Sequence, residues 1–386
     1  MNPIELKKGV YWVGAIDWSL RSFHGYSITC GTTYNAYLIV DEKITLIDTV
    51  EAPFADEMLE RIGKIVDPSK IDYIICNHVE MDHSGALPRV MKVAPDAKVI
   101  ASAQGVKGLT AHYGEYAYTP VKTGDELRLG KRTLSFVATP MLHWPDNMVT
   151  YCPEEKLLFS NDAFGQHIAS SGRFDDDESI EAIFSEARKY YANIVMPYAT
   201  QVKAAYEAVT ALDIEIIAPS HGVIWRKHIP EILARYNSWS SNETDHSAVV
   251  VFDSMWHSTE TIARTICETF LDKGVSVKLL DLKENANSVV MNEILTAEYI
   301  AVGSPTLNNN MMPTVASFLT YLRGLAPKGR KVLAFGSYGW SGQSIGQIEE
   351  QLISCGFTLI TDKIRIQYIP TSQQLRTITE DLGSKI

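Results

Sequence analysis

From residue 1 to about 240 the apolar positions come in short, strand-length runs: GVYWVGAI, NAYLIVD, KITLIDT, IDYIICN, AKVIAS, TLSFVATP, VTYCPEEKLLFS and IEIIAPS. Two longer stretches, APFADEMLERIGKIV and SEARKYYANIVMPYATQVKAAYEAV, carry helical spacing. This half therefore reads as mixed α/β with many strands. After the polar stretch NSWSSNETDHS at 237 to 247, read as a linker, the rhythm becomes a strict alternation of buried strand and amphipathic helix. Strands are expected at 248 to 253, 275 to 282, 299 to 304, 331 to 337 and 358 to 366. Within STETIARTICETFLDKG, Ile262, Ile266 and Phe270 follow i, i+4 spacing and Gly274 stands at the C-cap. A last helical pattern spans about 371 to 383. Such alternation describes a small doubly wound sheet, which binds ligands beyond the carboxyl ends of its strands.

No period of 20 to 50 residues appears, so repeat architectures are set aside. A chain of 386 residues is longer than one core usually spans, and the change of rhythm predicts two domains, 1–245 and 246–386. The composition, 46% apolar and 21% charged, is that of a globular protein. A formal charge of −11 repels phosphate backbones and anionic surfaces, which argues against nucleic acid as a partner. No stretch approaches the roughly 20 apolar residues that span a bilayer, and the N-terminus has no apolar leader core. The five cysteines are scattered, with no CxxC pair, so neither a disulfide framework nor a thiolate zinc site is written here. A cytoplasmic protein in a reducing compartment, without a membrane partner, is expected.

One short segment changes this picture. HVEMDHSG, directly after the buried run IDYIICN, places His78, Glu80, Asp82 and His83 on a loop at a strand end. Alone, it could be a solvated acidic loop with two surface histidines. Three further positions repeat the placement: His143 in ATPMLHWPDN, Asp162 in KLLFSNDAF and His221 in IIAPSHGV. Each by itself could be structural. Together they supply seven imidazole and carboxylate ligands, the number that two divalent first-row metals sharing a bridging carboxylate would use.

At these residues the sequence resembles the metallo-β-lactamase superfamily, whose usual pattern is HxHxDH followed by a His, an Asp and a His. This chain reads HxExDH. Glu80 replaces a neutral nitrogen donor by a hard anionic oxygen that favours a more oxidised metal such as ferric iron. In this it looks like the flavodiiron proteins, the A-type flavoproteins, rather than the zinc hydrolases. That resemblance implies His78, Glu80 and His143 on one iron, Asp82, His83 and His221 on the other, and Asp162 between them. It implies an N-terminal metallo-β-lactamase-like αββα sandwich followed by a flavodoxin-like parallel sheet of order 2-1-3-4-5.

The loops of the second half fit the same reading. The first carries Ser254, Met255, Trp256, His257, Ser258 and Thr259, whose hydroxyls and backbone N–H groups surround a helix N-terminus suited to a phosphate. The third strand ends in Ser304, Pro305, Thr306, Leu307 and Asn308, and the fourth in Ser337, Tyr338, Gly339, Trp340, Ser341 and Gly342. Glycine allows close approach of a flat ring, and the aromatic residues could flank it. Ordinary βα loops also use Gly, Ser and Asn. Three in register resemble a flavodoxin domain and imply FMN, although a free flavodoxin's phosphate loop is richer in threonine and lacks this tryptophan.

The resemblance further implies reduction of O₂ to water, of NO to N₂O, or both. It implies a head-to-tail homodimer, or a dimer of dimers, that brings the flavin of one subunit beside the iron of the other. His24 and Tyr191 are candidates for hydrogen bonding near the open face of the irons, with plain packing as the alternative. With no CxxC pair to build a rubredoxin, a separate electron donor is expected: a rubredoxin, a flavin reductase or a reduced deazaflavin. Two rivals remain at this point: a dinuclear zinc hydrolase with an accessory flavodoxin-like domain, and a redox carrier that uses FMN alone.

Overall fold

Alternate residues of the central strands are apolar on both sides, so the sheet they form must be covered on both faces. The computed structural model describes residues 2–386, which fall into two compact units. The first comprises the chain up to Phe23, Ile28–Tyr190 and Thr200–Asn237. It holds a seven-stranded sheet with the spatial order Ile4–Lys7, Val10–Trp12, Tyr37–Ile39, Thr45–Ile47, Tyr73–Cys76, Lys98–Ser102 and Tyr118–Val121. Pairing is antiparallel as far as Thr45–Ile47 and parallel beyond it. A five-stranded sheet follows: Glu126–Arg128, Thr133–Ala138, Met148–Cys152, Leu157–Asn161 and Ile216–Pro219.

The period of two decides which core each side chain joins. Tyr37, Ile39, Ile47, Ile75 and Ile100 point toward the five-stranded sheet and meet Phe136, Met148 and Phe159. Their neighbours Leu38, Leu46, Ile74 and Val99 point the other way, onto Met58, Ile62, Leu87, Val90 and Leu109 of the helices Ala55–Gly63, Leu87–Val93 and Ala103–Tyr113. Each such side chain, fully buried, stabilises the fold by about 1.5–3 kcal/mol before entropy is charged against it. The outer face of the five-stranded sheet is covered by helices Ala199–Thr210 and Ile229–Ser240, completing the expected αββα layering.

The second unit comprises His24–Ser27, Tyr191–Ala199 and Ser238–Ile386; the first two of these segments lie in the part of the chain that the sequence pattern places in the first domain. Its sheet is wholly parallel, in the order Ser276–Asp281, Asp245–Phe252, Ala297–Gly303, Lys331–Tyr338, then the two short strands Thr358–Leu359 and Ile364–Gln367. This is the expected 2-1-3-4-5 arrangement. The fifth predicted strand is split into these two pieces, and between them the Thr361 hydroxyl donates to Asp381 at 2.6 Å. The predicted linker is short, since helix Ile229–Ser240 runs into it and the next strand begins at Asp245. The long helical stretch around 185 to 209 is also interrupted: α-helix Ile180–Tyr190 gives way to a π-turn at Tyr191–Val195 and a 3₁₀ turn at Met196–Tyr198, where Pro197 removes a backbone donor. Among the described residues no helix is long and apolar enough to cross a membrane, and the five cysteines are unpaired.

Candidate metal centre and cofactor cavity

Ligand loops leave the carboxyl ends of neighbouring strands. Strand Leu157–Asn161 runs parallel to Ile216–Pro219 with Asn161 opposite Pro219, so Asp162 and His221 emerge side by side. His78 follows Tyr73–Cys76, and Glu80 caps a single helical turn, Met81–Ser84, that holds Asp82 and His83. His143 adopts φ 101°, a conformation that side-chain-bearing residues rarely take, and Met141, Asn161 and Phe164 around it are also at positive φ. The strain is concentrated where the ligands must turn inward.

Two sets form: His78, Glu80, His143 and Asp162, and next to them Asp82, His83 and His221, the candidate ligand atoms of each lying within 4.8 Å of one another. Glu80 Oε2 lies 3.3 Å from His78 Nε2 and 3.2 Å from His143 Nε2. Asp82 Oδ2 is 3.1 Å from His221 Nε2, and Asp82 Oδ1 is 3.4 Å from His83 Nε2. Asp162 divides its carboxylate between them. Its Oδ2 is 3.8 Å from both His78 Nε2 and His143 Nδ1, while its Oδ1 is 3.1 Å from His83 Nε2 and 3.5 Å from His221 Nε2.

The residues fit a pair of metal ions on a direct test. Both carboxylate oxygens of Asp82, both ring nitrogens of His83 and Asp162 Oδ2 are buried without a hydrogen-bond partner. Buried polar atoms left so are costly, and convergence of several on one point is what cation ligands look like before the cation is added. The mutual electrostatics agree. Despite desolvation, which opposes a charged imidazole, hydrogen bonds to Asp146 and Glu80 push the His78 pKa up to about 9. Desolvation would raise the Glu80 carboxyl, but the imidazoles of His143 and His78 hold it well below its usual range. His83 is raised and Asp162 lowered in the same way, again against desolvation.

A surrounding layer holds the ligands. Asp146 Oδ2 accepts from His78 Nδ1 at 3.0 Å and from the Val79 N–H at 2.8 Å, leaving His78 Nε2 to face the centre. His221 Nδ1 donates to the Thr33 carbonyl at 2.7 Å, and Asn35 ties Trp12 to the Pro219 and Gly222 carbonyls. Buried Asp48, raised to about 6 by burial, accepts from the Asn77 backbone and side chain. The Tyr190 hydroxyl donates to Asp162 Oδ1 at 2.9 Å. The His167 ring lies tilted against the His221 ring with centroids 4.9 Å apart, its Nδ1 2.9 Å from the Thr32 hydroxyl.

All seven predicted ligands thus come together. His24 and Tyr191 join neither set. His24 is exposed and lines a groove with Asn287, Ser317, Thr320 and Tyr321 in the second unit. Tyr191 is fully buried with its ring 5.2 Å from Trp239, whereas its neighbour Tyr190 reaches Asp162. Asp146, Tyr190 and His167 were missed by sequence reasoning. Asp146 lies three residues beyond His143 in HWPDN, the one signal that could have found it.

In the second unit a cavity of about 810 Å³ opens at the carboxyl ends of the strands. Met255, Trp256, Ser258, Pro305, Thr306, Asn308, Ser337, Tyr338, Gly339, Trp340 and Ser341 line it as expected, joined by Asn309, Tyr368 and Ile369. Six predicted residues stand outside the lining. Ser254 is buried just beneath, with an unpartnered hydroxyl and a carbonyl that accepts from Lys283 Nζ at 2.7 Å. Thr259 and Ser304 brace the loops: Thr259 Oγ1 meets Ser337 Oγ at 2.8 Å, and Ser304 Oγ accepts from the Met312 N–H at 2.8 Å. His257 turns outward beside Glu260, Leu307 closes a small turn with Asn310, and Gly342 lies against Arg365, whose Nη2 would be 2.8 Å from an added Cβ.

FMN fits this cavity. Its size suits a ligand of that class. Ser258 begins helix Ser258–Asp272, whose N-terminus favours a phosphate. Trp256 and Trp340 are 86% and 90% exposed, an arrangement that wastes two large apolar rings unless something flat or another surface covers them. At Gly336 an added Cβ would come within 2.0 Å of the Ser304 carbonyl, so the backbone that shapes the cavity depends on its absence.

Comparison with known proteins gives a consistent result. Residues 32–222 match the ODP family beta lactamase model and residues 250–380 the flavodoxin model. The chain is 45% identical to the nitric oxide reductase of Moorella thermoacetica over 392 residues, covering 100% of this chain and 98% of that protein. The structure of rubredoxin oxygen:oxidoreductase from Desulfovibrio gigas superposes with a TM-score of 0.97 at 42% identity, covering 100% and 98% of the two chains. The flavodiiron protein from Giardia intestinalis also gives 0.97, at 35% identity and 100% and 96% coverage.

Proposed function

This chain belongs to the flavodiiron proteins, and from that membership together with the site geometry we propose that it is an oxidoreductase that reduces O₂ to water, NO to N₂O, or both. The observation that carries the reading is the split of Asp162 between two ligand sets, one of which includes Glu80. When bound, two irons and FMN supply the electrons that these reductions consume.

The chain's own residues prepare that chemistry. His78, Glu80 and His143 would hold one iron, Asp82, His83 and His221 the other, and Asp162 both. The carboxylates of Glu80, Asp82 and Asp162 among the imidazoles would suit the hard character of iron. Tyr190 fixes Asp162 through Oδ1, and Asp146 fixes the His78 ring. We assign to Tyr190, rather than Tyr191, the hydroxyl that acts on the centre. In the second unit Ser258 and the adjoining N–H groups would bind the FMN phosphate, and Tyr338, Trp340, Trp256 and Tyr368 would flank its ring.

A head-to-tail dimer is favoured because large apolar side chains at the cavity rim, Trp256, Trp340 and Ile369, are 86%, 90% and 79% exposed and need cover. A rubredoxin-type donor is supported by the likeness to the rubredoxin oxygen:oxidoreductase from Desulfovibrio gigas. A reducing compartment suits five unpaired cysteines. The zinc hydrolase alternative finds no support, since two relatives matched across the full chain are a nitric oxide reductase and a rubredoxin-oxygen oxidoreductase. The test is metal and flavin analysis of purified protein followed by anaerobic turnover with each gas. Two irons and one FMN per chain with gas consumption is the expected result; two zincs with hydrolysis of an ester or amide would overturn it.

A further inference from the structure

Beneath helix Ala199–Thr210 and against the outer face of the five-stranded sheet lies a second, much smaller cavity of about 20 Å³, room for one small molecule. Its lining is almost wholly apolar: Leu142, Val149, Leu158, Phe164, Val202 and Val209 are all buried. Ala205 and Tyr206, half-buried, form its outer side. The inner side belongs to the metal centre's own loops. Leu142 and Ala163 line the cavity, and the residues bonded to them, His143 and Asp162, are metal ligands, so the Cα atoms of lining residue and ligand are separated by a single peptide link of about 3.8 Å.

Water is a poor occupant. A buried water needs about two to four hydrogen-bond partners. Of the buried hydroxyls in the lining, Ser160 donates to the Ala163 carbonyl at 2.8 Å and Tyr236 accepts from the Phe164 N–H at 2.8 Å. Thr139 alone offers a buried hydroxyl without a partner. A space so lined offers little to hold a water and suits an apolar, gas-sized molecule. Filling it with a larger side chain would have cost the fold nothing in hydrogen bonding and would have improved packing.

We infer that this cavity is a docking site for a diatomic gas, O₂ or NO, through which the substrate reaches the metal centre from the protein side. The inference rests on the reductase reading above and adds where the substrate waits. Its lining is apolar, which suits O₂ and the weakly polar NO, and two of its residues, Leu142 and Ala163, are the chain neighbours of His143 and Asp162.

Crystals of the iron-loaded, FMN-bound protein pressurised with xenon test the site, and stopped-flow mixing of the fully reduced protein with O₂ tests its role. Xenon is expected in the cavity of the wild type and absent from Val202→Phe, whose ring fills it from the helix side. The second-order rate constant for O₂ should fall by about threefold or more in Val202→Phe, with the rate at saturating gas and the iron content unchanged. Val202→Leu, a milder filling, should give an intermediate fall and guards against a folding failure. A wild-type cavity empty of xenon or filled by water overturns the proposal. So does Val202→Phe that excludes xenon yet reacts with O₂ as fast as wild type, which would make the cavity a packing void only. No gas consumption by the wild type would sink the reductase reading and the cavity's role with it, whereas unaffected kinetics alongside gas turnover sinks only the latter.

Discussion

Replacing Asp146 by alanine isolates the contribution of the layer behind the ligands. In the wild type a single carboxylate oxygen accepts from His78 Nδ1 at 3.0 Å and from the Val79 N–H at 2.8 Å, and His78 is fully buried. Alanine leaves both donors in the interior without a partner. At about 1–3 kcal/mol for each orphaned donor, the metal-free fold should lose about 2–6 kcal/mol. The His78 ring also loses the acceptor that fixes its orientation and proton position. Removal of such a partner typically costs about 10–100-fold in metal affinity, or about 1.4–2.7 kcal/mol. Asp146→Asn keeps an oxygen acceptor but loses the charge that makes these hydrogen bonds roughly twice as strong, so its loss should lie near the lower bound, about 10-fold. Anaerobic titration of apoprotein with ferrous iron against a competing chelator measures the affinities, and urea unfolding of the apoproteins measures the stability. Asp146→Ala with an iron affinity within about twofold of wild type, while folded by circular dichroism, would refute the reasoning.

Three more expectations follow from the same geometry. His78 has its pKa raised to about 9 in the metal-free protein, so its proton stabilises the apo fold below the ordinary histidine value of about 6.5 and that contribution is lost as the pH rises through about 9. Iron must displace this proton, and its apparent affinity should therefore rise by about tenfold per pH unit per displaced proton between pH 7 and 9, with proton release seen by a pH indicator; a flat profile contradicts it. Glu80→His restores three neutral nitrogens in the first set, and should lower iron occupancy relative to zinc and cut gas turnover by about 100-fold or more, checked by metal analysis and an oxygen electrode. Gly336→Ala should destabilise the second unit by more than about 2 kcal/mol and lower bound flavin, because the added methyl meets the Ser304 carbonyl at 2.0 Å; full flavin content at wild-type stability would count against it.

The clustering of the seven candidate ligands was legible because their chemistry is dense and their placement regular. His78 to His83 sit within six consecutive residues, and Asp162 and His221 each follow a buried strand. The parallel sheet order was legible for the same reason, since strand and helix alternate after residue 245 as far as the split last strand. What escaped depends on direction rather than residue type. Tyr190 and Tyr191 are equally plausible in sequence, yet the α-helix ends between them and only the first points at Asp162. Tyr368 and Ile369, which line the flavin cavity, follow the second piece of a last strand that is split in two, and the residue pattern did not show the split. Asp146 needed the knowledge of which way the His78 ring turns.

Asp162 as a shared ligand is the central claim, and Mössbauer spectroscopy of ⁵⁷Fe-loaded protein, oxidised and then reduced under argon, tests it most directly. A carboxylate held between the two sets predicts two irons per chain that are magnetically coupled in the ferric state, with the coupling broken in Asp162→Ala. Isolated, uncoupled iron in the wild type, or coupling that survives Asp162→Ala unchanged, would contradict the account.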